Sequence, residues 1–283
     1  MIELGPNRYG KSAIRLVKVV RGPDRQRVRD LTVAVSLEGD FEAAHTAGDN
    51  TNVVATDTMK NTVYAFAPEH LTGAIESFGR VLAEHFAASS QVERATVAIR
   101  EQPWAPIPTE VGPAPDAFMR APDFSRTASV SVSHDGSVTI DAGIDDLTVM
   151  KTAKSAFKGF PRDRYTTLAE TDDRIMATMV NATWRYASTD LDWDAVFDGV
   201  RATLLDTMAD HLSPSVQASI WTIGRAILER HVAIEEIRMV LPNLHHWTVD
   251  LTPFGLSNRN EIFIPTTEPH GLIEATVRRS AGR

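Results

Sequence analysis

Apolar and polar residues alternate in short segments of the first half of the chain, as they do in half-buried β-strands. The clearest case is residues 31–38, LTVAVSLE, in which every odd position is Leu or Val. The segments SAIRLVKVV before it and RATVAIRE after it predict two more strands. Between them, apolar residues at helical spacing from Leu71 to Phe86 predict a long helix. We expect Asp57 to accept hydrogen bonds from the free N–H groups of a first helical turn.

The second half of the chain repeats this order. The segments GIDDLTVMKT and RIMATMVNATWRY predict a short and a long strand. An apolar stripe from Trp193 to Met208 predicts a helix, and a second helix should follow with Ser213 as N-cap and Pro214 in its first turn. The chain then offers four strand candidates: EIRMVLP, HHWTVDL, EIFIP and GLIEATV.

Each half therefore reads strand, strand, helix, helix, strand, strand, and we place the halves at residues 1–142 and 143–283. Because strands and helices are segregated, the pattern favours an antiparallel α+β fold, with helices covering one face of a sheet. The open edges of such a sheet favour self-association.

Two connecting segments carry turn signals. Asp135-Gly136 between SVSV and SVTI predicts a two-residue hairpin. A proline-rich stretch predicts a loop or linker; its prolines are Pro103, Pro106, Pro108, Pro113, Pro115 and Pro122.

Composition narrows the class of protein. With 43% hydrophobic and 23% charged residues in 283, the chain is typical of a globular protein. It has no run of about 18 apolar residues, as a membrane span needs, and its start lacks the features of a secretory signal. The net charge of −8 argues against a general affinity for nucleic acid. The absence of cysteine excludes disulfides, thiolate zinc sites and thiol catalysis.

Two apparent motifs predict no site. Residues 5–12, GPNRYGKS, match the phosphate-binding P-loop, but only four residues precede them and a β-branched segment follows, so no helix N-terminus would face a phosphate. Lys11 remains of interest, because a side chain at the start of a strand can point into a site. His245 and His246, adjacent in a predicted strand, should point to opposite faces and could not bind one metal ion together.

Five segments go further: RYGKSAIRL, VVATDTMKNTVYA, FKGFPRDRYTTLAETDDRI, SPSVQASIW and LPNLHHWTVDL. In this order and spacing they resemble the urate oxidase (uricase) family, of the tunnelling fold, over roughly residues 9–277. The chain ends in SAGR rather than in the S-K-L tripeptide of peroxisomal enzymes, which suggests a bacterial, cytoplasmic member.

The resemblance implies cofactor-free oxidation of urate by O₂ to 5-hydroxyisourate and hydrogen peroxide. It implies a proton relay of Lys11, Thr56 and His245. It also implies a homotetramer with a central tunnel, whose active sites lie at subunit interfaces, where Thr56 and Asp57 contact the purine from the opposite subunit.

The remaining substrate contacts are implied in the same way. Phe157 would stack on the purine, Leu168 would line the pocket, and Arg174 would bind the urate anion. Val216, through its backbone N–H, and Gln217 would bind the other edge. Asn243 would hold dioxygen or a water above the purine plane.

The chemistry of urate agrees with these residue types. A flat anion with alternating donors and acceptors suits a stacking ring, an arginine fork and an amide. Urate can itself reduce O₂, so the protein need only remove protons and hold the reactants together. Two alternatives remain: another tunnelling-fold enzyme acting on pterins or purines, and a non-catalytic purine-binding protein on the same fold.

Overall fold

The computed structural model describes residues 2–121 and 124–280. The chain divides into two compact units. The first unit comprises Met1–Ile144 and Arg185–Ala195, and the second comprises Asp145–Trp184 and Val196–Arg283. None of the described helices is long and apolar enough to cross a membrane.

The first unit contains an antiparallel sheet in the order β1-β2-β3-β6-β7, with helices packed against it. Its elements are β1 (Tyr9–Val20), β2 (Arg27–Gly39), α1 (Glu42–Thr46), α2 (Thr56–His70), α3 (Ile75–Ala87), β3 (Val92–Gln102), β4 (Trp104–Thr109), β5 (Gly112–Arg120), β6 (Ser125–Ser133) and the start of β7 (Val138–Lys151). Helix α3 packs on β3 and β6, and the core between them includes Phe78, Ile99 and Val130.

In the second unit, strands β8, β9 and β12 are neighbours in that order, and β9 and β12 pair antiparallel. Its elements after β7 are β8 (Met176–Tyr186), α4 (Trp193–Asp210), α5 (Val216–Arg230), β9 (Ile234–Leu244), β10 (His246–Thr248), a short 3-10 helix (Thr252–Phe254), β11 (Phe263–Pro265) and β12 (Gly271–Arg278). Helix α5 packs on β9 and β12. The predicted antiparallel α+β fold is confirmed in both units.

Both units close their first long helix in the same way. Lys18 of β1 donates hydrogen bonds to three carbonyls at the end of α2, those of Ala67, Pro68 and Leu71, each at 2.9 Å. Lys151 of β7 does the same at the end of α4, donating to the carbonyls of Met208, Ala209 and His211 at 2.8–3.1 Å. An ammonium group favours a helix C-terminus, where carbonyls lack partners and the helix dipole is negative.

The helix predicted from Leu71 onward begins later than expected, because α2 ends at His70 and α3 begins at Ile75. Leu71 leaves the helical region at φ −87° and ψ 66°, and Gly73, a weak helix former, follows. The backbone carbonyls in this break accept hydrogen bonds from side chains of β1 and β2. Lys18 Nζ donates to the Leu71 carbonyl, and Arg29 Nη1 donates to the Gly73 carbonyl at 2.7 Å.

The proline-rich segment is not a loop, since β4 and β5 form a two-stranded antiparallel hairpin. Prolines fit there because each strand pairs on one side only, so the missing N–H groups cost few ladder bonds. The register shifts between Pro106 and Pro108. Pro122 lies outside the described residues.

Both predicted helix caps are displaced. Ala55 occupies the N-cap of α2, and the Asp57 carboxylate, two residues further along, accepts hydrogen bonds from Lys60 and from Asn61 Nδ2. Helix α5 begins at Val216 with Ser215 as N-cap, whereas the Ser213 hydroxyl lies 2.8 Å from Ser219 Oγ.

The turn predicted at Asp135-Gly136 is present, but it is longer than expected. The connection between β6 and β7 spans residues 134–137 rather than two residues, with Gly136 at φ +83°. The segments SVTI and GIDDLTVMKT form the single strand β7.

Residues 5–12 are not a P-loop: β1 begins inside them, and a Cβ on Gly10 would lie 1.9 Å from the Val35 carbonyl oxygen.

Candidate functional site

A cavity of about 500 Å³ lies within the second unit. It contains five of the residues that the sequence predicted for the site: Phe157, Leu168, Arg174, Asn243 and His245. Its other lining residues are Thr167, Ala169, Thr171, Asp173, Ile175, His246, Trp247, Thr248, Asn260 and Phe263. The fold thus brings together side chains from the segment before β8, the end of β9 and the β10–β11 hairpin.

Arg174 is the central charged group of this cavity. Its backbone N–H donates to the Ser155 carbonyl at 3.0 Å, and this hydrogen bond fixes the backbone just before β8. Its Nε is buried, and within the described parts of the chain it has no hydrogen-bond partner. Burial lowers the pKa of the guanidinium below its usual value. A half-buried cation without a partner carries an unmet desolvation cost, so it favours an anionic ligand.

The Phe157 ring lies beside this guanidinium. Arg174 Cζ is 5.0 Å from the centre of the ring, a cation–π distance. Two backbone hydrogen bonds of 2.9 and 3.1 Å with Thr171 hold Phe157 in place. On its own segment, the Phe160 ring stacks on Phe157 with centroids 4.9 Å apart. The arrangement offers a fixed aromatic surface next to a fork of N–H donors.

His245 also lines the cavity, between β9 and β10. Its carbonyl accepts a hydrogen bond from Thr266 N–H at 2.8 Å, and its ring stacks on Trp247 with centroids 5.2 Å apart. Burial, together with the positive charges of Arg174 and His270, lowers the pKa of the imidazole. His245 is therefore neutral near pH 7 and can accept a proton.

His245 and His246 both line the cavity. The alternation rule does not apply, since His245 precedes the strand that begins at His246. Among the described residues, no group of three or more His, Asp and Glu side chains is placed to hold a metal ion.

Asn243, next to last in β9, faces the cavity. Its register partner in β12 is Gly271, which has no side chain to cover it. The amide thus reaches the cavity with both a donor and an acceptor.

Val216 and Gln217 do not line this cavity. Val216 is buried and Gln217 is exposed, in the first turn of α5. Two backbone hydrogen bonds nevertheless join the segment before α5 to that before Phe157: Ala156 N–H donates to the Ser213 carbonyl at 2.8 Å, and Ser213 N–H to that of Lys154 at 2.9 Å.

Lys11, Thr56 and Asp57 belong to the first unit. The Tyr9 hydroxyl links their segments, since it accepts from Val54 N–H at 2.7 Å and donates to the Val54 carbonyl at 3.2 Å. The ammonium of Lys60 is the main cause that lowers the pKa of the Asp57 carboxyl, and the charge of Lys11 adds to it. Lys11 therefore lies near the first turn of α2, where Thr56 begins the helix.

The sequence predictions missed Asp173, Asn260, His246 and Trp247 in the cavity wall. Asp173 and His246 stand next to the predicted site residues Arg174 and His245, and this proximity was the available signal. Asn260 lies in a polar loop, and no local pattern distinguishes it.

Comparison with known proteins supports the resemblance over nearly the whole chain. A model of the family described as uricase matches residues 7–131 and 140–274. The uricase of Arthrobacter globiformis is 47% identical over 283 residues, which cover 100% of this chain and 92% of that protein. The uricase of Dictyostelium discoideum is 38% identical over 286 residues, covering 100% of both.

A solved structure gives the same result for the fold. The crystal structure of uricase from Arthrobacter globiformis matches with a TM-score of 0.94 and covers 100% of this chain and 97% of that one. The tunnelling fold predicted from the five sequence segments is therefore confirmed. From sequence and structure together, the chain belongs to the uricase family.

Proposed function

We propose that the chain converts urate, O₂ and water to 5-hydroxyisourate and hydrogen peroxide. Its family makes it a urate oxidase, an oxidoreductase. The observation that carries the rest is the unpaired guanidinium of Arg174 beside the Phe157 ring, in a cavity of about 500 Å³. A flat organic anion suits both groups at once, because its face stacks on the Phe157 ring and its edge accepts hydrogen bonds from the Arg174 guanidinium.

In this proposal the second unit binds the purine. Arg174 donates two hydrogen bonds to one edge of the urate anion, Phe157 stacks on its face, and Leu168 borders it. Val216 N–H and the Gln217 amide take the other edge. The free N–H groups in the first turn of α5 and the hydrogen bonds joining its preceding segment to residues 154–156 support this part.

Lys11, Thr56 and His245 move protons. Lys11 removes a proton through the Thr56 hydroxyl, and the neutral His245 imidazole accepts one from water or substrate. Asn243 holds O₂ or water above the purine plane. The deprotonated urate passes electrons to O₂, which becomes hydrogen peroxide, and water supplies the hydroxyl group of the product. Because urate is the reductant, we propose that no metal or organic cofactor takes part.

We further propose a homotetramer in which each site is shared between subunits, with Thr56 and Asp57 contributed by the opposite subunit. Lys11, Thr56 and Asp57 are not among the residues that line the cavity, which supports a shared site. We also propose that residues 1–142 and 143–283 are two tunnelling-fold repeats, supported by the matching contacts of Lys18 and Lys151.

The direct test follows the ultraviolet absorbance of urate with purified protein and no added cofactor, while O₂ uptake and peroxide are measured in parallel. We expect one O₂ consumed and one peroxide formed per urate, before and after chelator treatment and dialysis. Tight urate binding without turnover would favour a non-catalytic purine-binding protein. Loss of activity on chelation, restored by one metal, would overturn the cofactor-free reaction.

The shared site can be tested by mixing two variants, each impaired at a different residue of the site. Lys11→Met and Arg174→Lys chains, co-expressed in equal amounts, should form mixed tetramers in which about a quarter of the sites are intact. Each parent alone, assayed at the same concentration, is the control. A mixture no more active than its parents would place both residues of each site in one chain.

A further inference from the structure

Asp173 and Arg174 are neighbours in sequence, and both line the same cavity. A carboxylate that borders the same cavity as a guanidinium can form a bidentate ion pair with it. Yet within residues 2–121 and 124–280 the Arg174 guanidinium has no carboxylate at ion-pair distance, and its Nε has no partner at all. Burial is the one cause that shifts the Arg174 pKa, without an opposing charge.

The Asp173 carboxylate is held by a different group. Asn260 Nδ2 donates a hydrogen bond to Asp173 Oδ2 at 3.1 Å. The Asp173 backbone is also fixed, because Thr171 Oγ1 donates to its carbonyl at 2.8 Å and accepts from its N–H at 3.2 Å. Both the side chain and the backbone of Asp173 are thus restrained.

Asn260 is itself fixed in place. It has a left-handed backbone with φ +67°, which Asn tolerates better than most residues. Asn258 holds the loop around it: Nδ2 donates to the carbonyls of Val249 and Ile262 at 2.9 and 2.7 Å, and Oδ1 accepts from the N–H groups of Glu261 and Ile262 at 3.0 and 3.2 Å. The Asn260 amide therefore reaches Asp173 from a loop with a defined conformation.

We propose that Asn260 is a positioning residue that holds the Asp173 carboxylate away from Arg174 and so keeps the guanidinium available to an anionic substrate. This inference rests on the proposed role of Arg174 in binding urate. A released Asp173 would compete with the anion for the same N–H donors. Affinity for the anion would then fall by the strength of the internal ion pair.

The test uses Asn260→Gly, because glycine accepts the positive φ and removes only the amide. Calorimetric binding of xanthine, a purine that lacks the C8 oxygen of urate, should weaken roughly 5- to 20-fold, and the KM for urate should rise in parallel. The kcat at saturating urate should change far less. Asn52→Gly is the matched control: its amide also bonds to an aspartate, Asp40, at 3.0 Å in the first unit, and its removal should leave binding unchanged.

A second substitution separates this role from a general loosening of the loop. Asp173→Asn removes the competing charge, so Asn260→Gly together with Asp173→Asn should bind xanthine as well as Asp173→Asn alone. Binding that stays equally weak in the double variant would overturn the inference, and so would wild-type affinity in Asn260→Gly.

A third variant distinguishes failure of this inference from failure of the proposed function. If Arg174→Lys weakens xanthine binding but Asn260→Gly does not, only the role of Asn260 is wrong. If neither variant changes binding, Arg174 is not the anion site and the proposed function fails at that point.

Discussion

The two units carry an arginine at the same place, and only one of these arginines is paired. Arg29 stands two positions before Leu31, where the buried stripe of β2 begins, and Arg174 stands two positions before Met176, where that of β8 begins. Arg29 donates through Nε and Nη2 to the two carboxylate oxygens of Glu101. Arg174 has no such partner among the described residues.

The difference lies in the neighbouring strand. Strands β3 and β9 bury residues at the same spacing: Val92, Ala95, Val97 and Ile99 in the first, and Ile234, Ile237, Met239 and Leu241 in the second. The tenth residue is Glu101 in β3 and Asn243 in β9. An acid at this position closes an ion pair, whereas an amide leaves the arginine free for a ligand.

A second arginine completes the contrast. Arg126 stands opposite Glu101 in the sheet of the first unit and bonds to Glu76, the second residue of α3, at 2.8 Å and to Asp194 at 2.6 Å. In the second unit Gly271 stands opposite Asn243, and the second residue of α5 is Gln217, which is exposed. The first unit thus fills this region with its own guanidinium, and the second leaves it open.

The largest expected effect concerns the one catalytic role that we assign to the first unit. Lys11→Met and Thr56→Ala should each lower kcat by about 10²-fold or more, the range of general acid–base catalysis. If the two residues act as one proton-transfer unit, as we propose, the double variant should be little worse than the worse single variant. Steady-state kinetics at saturating urate measures this, and additive losses would indicate separate roles.

Next in size is a substitution that copies the first unit into the second. Asn243→Glu should pair with Arg174 as Glu101 pairs with Arg29, and it should weaken xanthine binding about 10- to 150-fold. Its counterpart, Glu101→Gln, should leave binding unchanged but lower the free energy of unfolding by about 1–3 kcal/mol, since it leaves Arg29 without its acid. Unchanged binding in Asn243→Glu would break the comparison between the units.

A moderate effect is expected in the pH dependence. Burial and the charges of Arg174 and His270 lower the pKa of His245. Its imidazole therefore stays neutral at pH values where a free histidine, with a pKa of about 6.5, is already protonated. The acid limb of kcat should therefore lie below pH 6.5, where protonation removes the base. His270→Gln should move the limb upward by less than about one pH unit. A profile that is unchanged in His245→Gln would exclude this residue from the relay.

The smallest effects test what the units share. Lys18→Met and Lys151→Met each leave three helix carbonyls without their donor, so each should lower the free energy of unfolding by about 1–3 kcal/mol. Chemical denaturation measures both. A large loss in one unit and none in the other would mean that the two contacts are not equivalent.

The strands could be predicted from the sequence because alternation is a local property, as the Leu and Val positions of residues 31–38 show. The exact position of the break between α2 and α3 could not, since its carbonyls are satisfied by Lys18 and Arg29 from distant strands. The hairpin of β4 and β5 was hidden by prolines that usually indicate loops. Ser215 rather than the predicted Ser213 caps α5.

Part of the candidate site could likewise be predicted from the sequence, and part could not. Phe157, Leu168, Arg174, Asn243 and His245 were predicted through the family resemblance and lie in one cavity. The contact of Asp173 with Asn260 joins residues 87 positions apart, and no local pattern announces it. That Arg174 is unpaired is also a property of the folded chain, because it depends on Asn243 in another strand.

We propose that the second unit binds the purine while Lys11 and Thr56 of the first unit move protons. The most direct measurement compares Arg174→Lys with Lys11→Met in two assays, calorimetric Kd for xanthine and kcat for urate. We predict that Arg174→Lys raises Kd about 10- to 150-fold, because lysine keeps the charge but loses the planar fork. We predict that Lys11→Met lowers kcat about 10²-fold or more with Kd nearly unchanged. Wild-type Kd in Arg174→Lys, or an equally weakened Kd in Lys11→Met, would contradict the account.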